Sequence, residues 1–352
     1  MTNLDQLNNI DQVDKQSMLR HIQELPGQIE TCWDEIKKFV LPSNYIKMSN
    51  IVILGMGGSA IGGLLAKAIA TMSSKVPIEV VNDYNLPAYV NADSLIIAVS
   101  YSGNTEETLT AFREAGKRRS KLVAITMGGD LASLATNFKA PVYKIIYGSQ
   151  PRAALGYTFT AVLGILNKLG IIELGKDDIA ESVLLMRGLS KKLNPEVPTY
   201  QNEAKKLAIT MENLLPITIG AGIMAPVAFR YATQINENAK HFAYSLVMSE
   251  MCHNWLAGLK APQQNVKQTY VLMLQSKFDN ERIRLRQNIV SQILQKQGIK
   301  FDFINIQLSG CLLSEMLLMI YLGDYISYYL AILKDIDPTR VEEIEFLKKQ
   351  LS

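Results

Sequence analysis

Short apolar runs that break off into glycine- or hydroxyl-rich turns punctuate the first part of this 352-residue chain. The run 51–54 ends in GMGGSAIGG (55–63) and leads into a helical stretch. The run 94–99 ends in SYSGNTEETL (100–109) and leads into another. Runs at 78–81, 121–126 and 142–145 complete the series, the last ahead of a helix expected over about 152–168. Such runs have the length of strands. Apolar strands alternating with helices predict a parallel sheet covered on both faces, an α/β fold.

A second round follows a polar segment, 172–200, that reads as a domain connection. Residues 216–222 predict a strand and a glycine turn before a helix over 224–235. Strands are expected at 270–274 and 300–304, and helices at 281–297 and 311–333. The order of elements suggests a divergent second copy of the first unit, degraded at its phosphate-type loops. The expected fold is doubly wound: two parallel sheets, each in a three-layer α/β/α arrangement. Its expected segments are an N-terminal helical stretch over 1–50, interrupted at Pro26-Gly27 and packing on the core, a first domain over 51–190 and a second over 191–352.

Composition narrows the function. The net charge is +3 with no basic block, which argues against an electrostatic nucleic-acid surface. The three cysteines, Cys32, Cys252 and Cys311, form neither a disulfide framework nor a CxxC motif, so a reducing compartment is expected. With only His21, His241 and His253 available, no metal site is expected. The polar, acidic start does not read as a signal peptide. Residues 311–333 are long and apolar enough to raise the question of a membrane. They contain Ser314, Glu315 and Asp324, which favours a buried core helix.

The glycine loop brings backbone N–H groups to a helix start, where the dipole suits an anion. It is compatible with a phosphate site, a dinucleotide site or tight strand–helix packing. Asp83 is the available acidic partner for a dinucleotide, and no GK[ST] follows to make a P-loop. The second loop discriminates: Ser100, Ser102 and Thr105 put several hydroxyl donors at another helix start. Neutral donors of this kind suit a phosphate monoester and argue against a nicotinamide dehydrogenase. Asn104 and Glu107 resemble a capping box, and capping alone would account for either side chain. Two such loops at strand ends of one sheet point to one shared site.

GMGGSAIGG and SYSGNTEET together resemble the sugar isomerase (SIS) domain family. PRAALGY (151–157), NENAK (236–240), His253-Asn254, YYLA (328–331), Asp337-Pro338-Thr339 and Leu347-Lys348 are similar to motifs of its bifunctional phosphoglucose/phosphomannose isomerase branch. The resemblance runs from about residue 20 to the C-terminus. It implies two SIS-type subdomains and interconversion of glucose 6-phosphate, mannose 6-phosphate and fructose 6-phosphate without a cofactor or a metal. It implies that Gly57, Gly58, Ser59, Ser100, Ser102 and Thr105 hold the phosphate and sugar end. It also implies Arg152 near the C1 and C2 oxygens, Glu237 as the base, and His253 with Lys348 in ring opening. Thr339 is expected to shape the sugar pocket. A cytoplasmic homodimer with shared active sites follows from the same resemblance, with no nucleic-acid or membrane partner. Trp255 stands where the branch commonly carries glutamate.

Read alone, these residues are ordinary: NENAK is a polar segment, Arg152 a surface cation, His253 a structural histidine and Lys348 a solvated lysine. The rival expectation is a SIS-type regulator that binds a sugar phosphate without turning it over. Glu237, His253 and Lys348 together argue against it, since binding alone needs no proton-transfer groups.

Overall fold

The computed structural model describes residues 4–307 and 310–351, with Asn9 described by its backbone alone. The elements in chain order are α1 (Leu7–Val13), α2 (Met18–Lys38), β1 (Asn50–Leu54), α3 (Gly57–Ala70), β2 (Ile78–Val81), β3 (Ser94–Val99), α4 (Glu106–Lys117) and β4 (Lys121–Thr126). Then come α5 (Gly129–Asn137), β5 (Val142–Lys144), α6 (Leu155–Lys168), α7 (Asp178–Leu193), α8 (Glu203–Met211), β6 (Leu215–Gly220) and α9 (Met224–Ala239). The chain finishes with β7 (Tyr244–Val247), α10 (Met248–Met251), α11 (Gln263–Gln268), β8 (Thr269–Leu274), α12 (Glu281–Gln297), β9 (Lys300–Ile304), α13 (Leu312–Leu333) and α14 (Glu342–Leu351). They form two compact units: a first of Glu24–Val183, and a second of Met1–Gln23 with Leu184–Ser352.

The first unit holds a parallel sheet of order β2-β1-β3-β4-β5. Every residue of β3 is buried, as expected of a central strand covered on both faces. Val52, Leu54, Ile96, Ala98, Leu122 and Ala124 meet Phe112 and Leu131 in the core on one side. From Glu24 onward α2 packs against α6 through Leu25, Ile29, Cys32 and Ile36, which recur at helical spacing and are buried. That stripe explains why α2 runs through Pro26, where the sequence pattern predicts an interruption. A proline forfeits one intrahelical bond, and the continuous buried face outweighs it. Burial pushes the Cys32 thiol up to about 12, so it packs as an apolar group.

The second unit repeats the order as β7-β6-β8-β9. Its long helix α13 is buried along its whole apolar window and packs against α8 and α9. The interior helix expected at 311–333 is therefore present, and its Asp324 finds partners inside. Arg230 Nη2 of α9 meets Asp324 Oδ2 at 2.8 Å, and Gln234 donates to Asp324 Oδ1 at 3.2 Å. Burial holds the Asp324 carboxyl above the usual carboxylate range, although Arg230 and Gln234 pull it down. Near the start of the chain, Asp14 accepts from the N–H groups of Met18 and Leu19, and from the Tyr328 hydroxyl of α13 at 3.1 Å. The boundary between the two units falls inside the stretch read as a connection, 172–200, which also contains α7, whose buried Ile179, Val183 and Met186 give it an apolar side. The charged residues that make this stretch polar gather at the ends of α7, where they suit the dipole.

Candidate active site

In the first unit, two turns meet at the carboxyl ends of β1 and β3. The glycine loop closes into the first turn of α3, which contains Gly57, Gly58 and Ser59. The first N–H groups of a helix lack intrahelical partners, so this end presents donors and positive potential. Ser59 is buried, and its Oγ accepts from Tyr101 N at 3.2 Å, which ties the glycine loop to the neighbouring turn.

In that neighbouring turn, Ser100 is fully buried and its Oγ lies 2.9 Å from Thr105 Oγ1. Gly103 N also donates to Ser100 Oγ, at 3.2 Å. Ser102 is exposed, and its Oγ accepts from Asn104 N at 3.2 Å. Gly103 takes φ +78°, and a Cβ there would sit 1.9 Å from Gly128 O. Only glycine fits both the dihedral and the space. The turn thus rests on the loop after β4, and Asn104 Oδ1 accepts from Asp130 N at 3.0 Å. This corrects the capping-box expectation: the N-cap of α4 is Thr105, with no side-chain cap bond, and Asn104 bonds across to the next loop.

Arg152 is buried on a 3-10 turn, Pro151–Ala154, that runs into α6. The helix expected to start at 152 therefore begins at Leu155, after this turn. A Cβ on Gly58 would lie 2.9 Å from Arg152 N, so the glycine loop and the Arg152 backbone are in close contact. The structure thus brings Gly57, Gly58, Ser59, Ser100, Ser102, Thr105 and Arg152 into one cluster of strand-end and helix-start segments. Tyr101, which sequence reasoning passes over, helps hold it: its hydroxyl donates to Tyr147 O and accepts from Ser149 N at 2.8 Å. A lone aromatic among small hydroxyl residues is the signal that marks it.

The second unit holds Glu237, His253 and Lys348. Glu237 is half-buried in the last turn of α9. Its neighbours fix that turn. Asn236 exchanges two 3.0 Å bonds with the Ala243 backbone, and Asn238 donates to Ser327 Oγ of α13 at 3.0 Å. Lys240 caps the helix in a left-handed conformation, and its Nζ donates to Asp337 O at 2.7 Å. His241 follows, with Nε2 on Leu214 O at 2.7 Å and Nδ1 facing Lys334 Nζ at 2.9 Å. Bonding to a carbonyl assigns the proton to Nε2, so Nδ1 accepts from the ammonium. Burial, and secondarily Lys334, lowers the His241 pKa.

His253 is exposed just beyond α10. Asn254 Oδ1 accepts from Trp255 N at 2.6 Å, and Trp255 packs against the apolar core of this unit. The indole thus has a packing role where a glutamate would be solvated. Lys348 is exposed on α14, no residue of which is buried. Thr339 is buried, and its N–H donates to Asp337 Oδ1 at 2.8 Å.

Comparison with known proteins bears on this arrangement. Residues 44–163 match the SIS domain family model, and residues 200–351 match the bacterial phospho-glucose isomerase C-terminal SIS domain. A bifunctional phosphoglucose/phosphomannose isomerase of Caldicellulosiruptor bescii is 39% identical over 95% of this chain and 99% of its own. One of Thermoplasma acidophilum is 37% identical over 95% of this chain and 100% of its own. Among solved structures, the C-terminal domain of glucosamine-fructose-6-phosphate aminotransferase from Francisella tularensis superposes with a TM-score of 0.69. It is 19% identical, over 92% of this chain and 98% of that one, which speaks to the fold alone.

Proposed function

This chain belongs to the bifunctional phosphoglucose/phosphomannose isomerase family, and we propose that it interconverts glucose 6-phosphate and mannose 6-phosphate with fructose 6-phosphate through a cis-enediol. The observation that carries the substrate class is the pairing of two neutral, donor-rich turns at helix starts, joined by the Tyr101 N to Ser59 Oγ bond. Hydroxyl and N–H donors there suit a phosphate dianion. Gly57, Gly58, Ser59, Ser100, Ser102 and Thr105 hold that group in this proposal.

The chemistry needs one base acting at two adjacent carbons. From open-chain fructose 6-phosphate, the Glu237 carboxylate takes a proton from C1. The C–H electron pair forms the C1=C2 bond, and negative charge moves to O2. Arg152, planar and permanently charged, stabilises that oxygen without transferring a proton. The O1 proton passes to O2, C1=O forms, and the C1=C2 electron pair takes the proton back from Glu237 at C2. Protonation on one face yields the glucose epimer and on the other the mannose epimer. His253 and Lys348 exchange protons with the ring oxygen and hydroxyl as the sugar ring opens and closes. Thr339 shapes the sugar end.

The protein acts in this proposal as a cytoplasmic homodimer whose subunits share active sites. Exposed His253 supports this, as do the uncovered Ile344, Leu347 and Leu351 on the helix that carries Lys348. The deciding experiment is a coupled assay of fructose 6-phosphate conversion, with glucose and mannose 6-phosphate measured side by side and chelator present. Turnover is expected for both products. Glu237→Gln is expected to lower kcat by on the order of 10²–10⁴-fold. Undiminished turnover in that variant would remove Glu237 as the base.

A further inference from the structure

Arg152 sits on a turn whose own sequence supplies no cap. Neither Gln150, before the 3-10 turn, nor Ala154, before α6, makes a side-chain cap bond. The missing partners come from a residue more than a hundred positions earlier. Gln28 of α2 is buried; its Nε2 donates to Ala153 O at 2.9 Å, and its Oε1 accepts from Gly156 N at 3.1 Å. One amide thereby satisfies an acceptor just after Arg152 and a donor at the start of α6. The fit is close: a Cβ on Gly156 would lie 2.5 Å from Gln28 Cβ and 2.8 Å from Gln28 Oε1. On its other side the Arg152 turn meets Gly58. The turn is held between the glycine loop and one buried amide.

We infer that Gln28 is a positioning residue for Arg152, holding the backbone that aims the guanidinium at charge developing on the substrate. It acts through the turn and not on the sugar phosphate. The role rests on the proposed isomerase chemistry, and the test separates the two.

Gln28→Met keeps the side chain's length and removes both hydrogen bonds. Its kcat for fructose 6-phosphate is expected to fall on the order of 10–100-fold, the scale of a misplaced catalytic group, with KM little changed. Gly156→Ala, which drives a methyl into the amide, is expected to give the same split if Gln28→Met does not fold. The decisive measurement is a double-variant cycle with Arg152→Lys. If Gln28 acts through Arg152, adding Gln28→Met to Arg152→Lys lowers kcat little further. A merely structural role gives losses that multiply, or a lower Tm at unchanged kcat, and either result overturns the inference. Wild-type kcat in Arg152→Lys would instead overturn the role given to Arg152. No turnover in the wild type would overturn the isomerase proposal.

Discussion

The two sheets share a strand order and part company at their turns. In the first unit, β1 leads to α3 and β3 to α4; in the second, β6 leads to α9 and β8 to α12. The turn after β8 corresponds in topology to the serine-bearing turn after β3. Its donors are taken up internally. Ser276 Oγ donates to Glu315 Oε2 at 2.5 Å and Lys277 N to Glu315 Oε1 at 2.9 Å, while Ser276 N donates to Asp279 Oδ2 at 3.1 Å. Glu315 is buried, so the second unit carries its own anion where the first presents an exposed Ser102. In the proposed function, therefore, strand order alone does not make an anion site. What matters is whether the donors at the strand ends are already matched by the protein's own carboxylates.

Glycine substitutions give the largest contrast. Gly58→Ala would press a methyl on Arg152 N at 2.9 Å, with backbone on both sides. A fall in kcat/KM on the order of 10²-fold is expected in steady-state assays. Gly222→Ala, in the matching turn of the second unit, meets open space at φ +50° and should cost about 1–2 kcal/mol of stability with turnover retained. Equal kinetic damage from both would erase the distinction between the turns.

Glu315→Ala tests the internal anion. It strands the Ser276 hydroxyl and the Lys277 N–H, and denaturant titration should show a loss of about 1–3 kcal/mol. KM for sugar phosphate should not move; a raised KM would draw the second turn into the binding site. Ser102→Ala probes the other side of the comparison. A hydrogen bond to a charged phosphate is worth about 1.5–3 kcal/mol, with the low end expected at an exposed hydroxyl, so KM should rise roughly 10-fold with kcat nearly constant. An unchanged KM would take Ser102 out of phosphate binding.

The smallest effect is one of pH. The folded His241 pKa lies below the ordinary 6.5, chiefly through burial. The unfolded chain therefore binds more protons between the folded value and 6.5. Its contribution to stability is complete above 6.5 and is lost as pH falls through the folded pKa. Denaturation midpoints of the wild type should decline over that window, and His241→Gln should remove this part of the slope.

Much of the scaffold was legible because buried parallel strands leave uninterrupted apolar runs. β3, β4 and β9 fall at the expected residues for that reason, and α12 has the expected ends, marked by Asn280 and Gly298. β7 left no such trace: it is a short edge strand whose Tyr244 and Val247 are exposed. Pro26 was misleading because local propensity says nothing of a helix face buried by a distant partner. The two loops could be read because their chemistry is contiguous in sequence. Gln28 could not: a single glutamine in an amphipathic helix looks like surface until the fold brings Ala153 and Gly156 to it.

One further consequence follows from Asp14, whose carboxylate serves both the start of α2 and the hydroxyl of Tyr328. During synthesis residue 328 leaves the ribosome 314 positions after residue 14. The second unit therefore cannot close until α13 has emerged, by which point Glu24–Val183 has been synthesised in full. In that interval Arg230 and Gln234 lack Asp324, and the surface of α9 that will bury α13 stays wet. The apolar face of α9 thus waits, in the nascent chain, for a helix synthesised some eighty residues later.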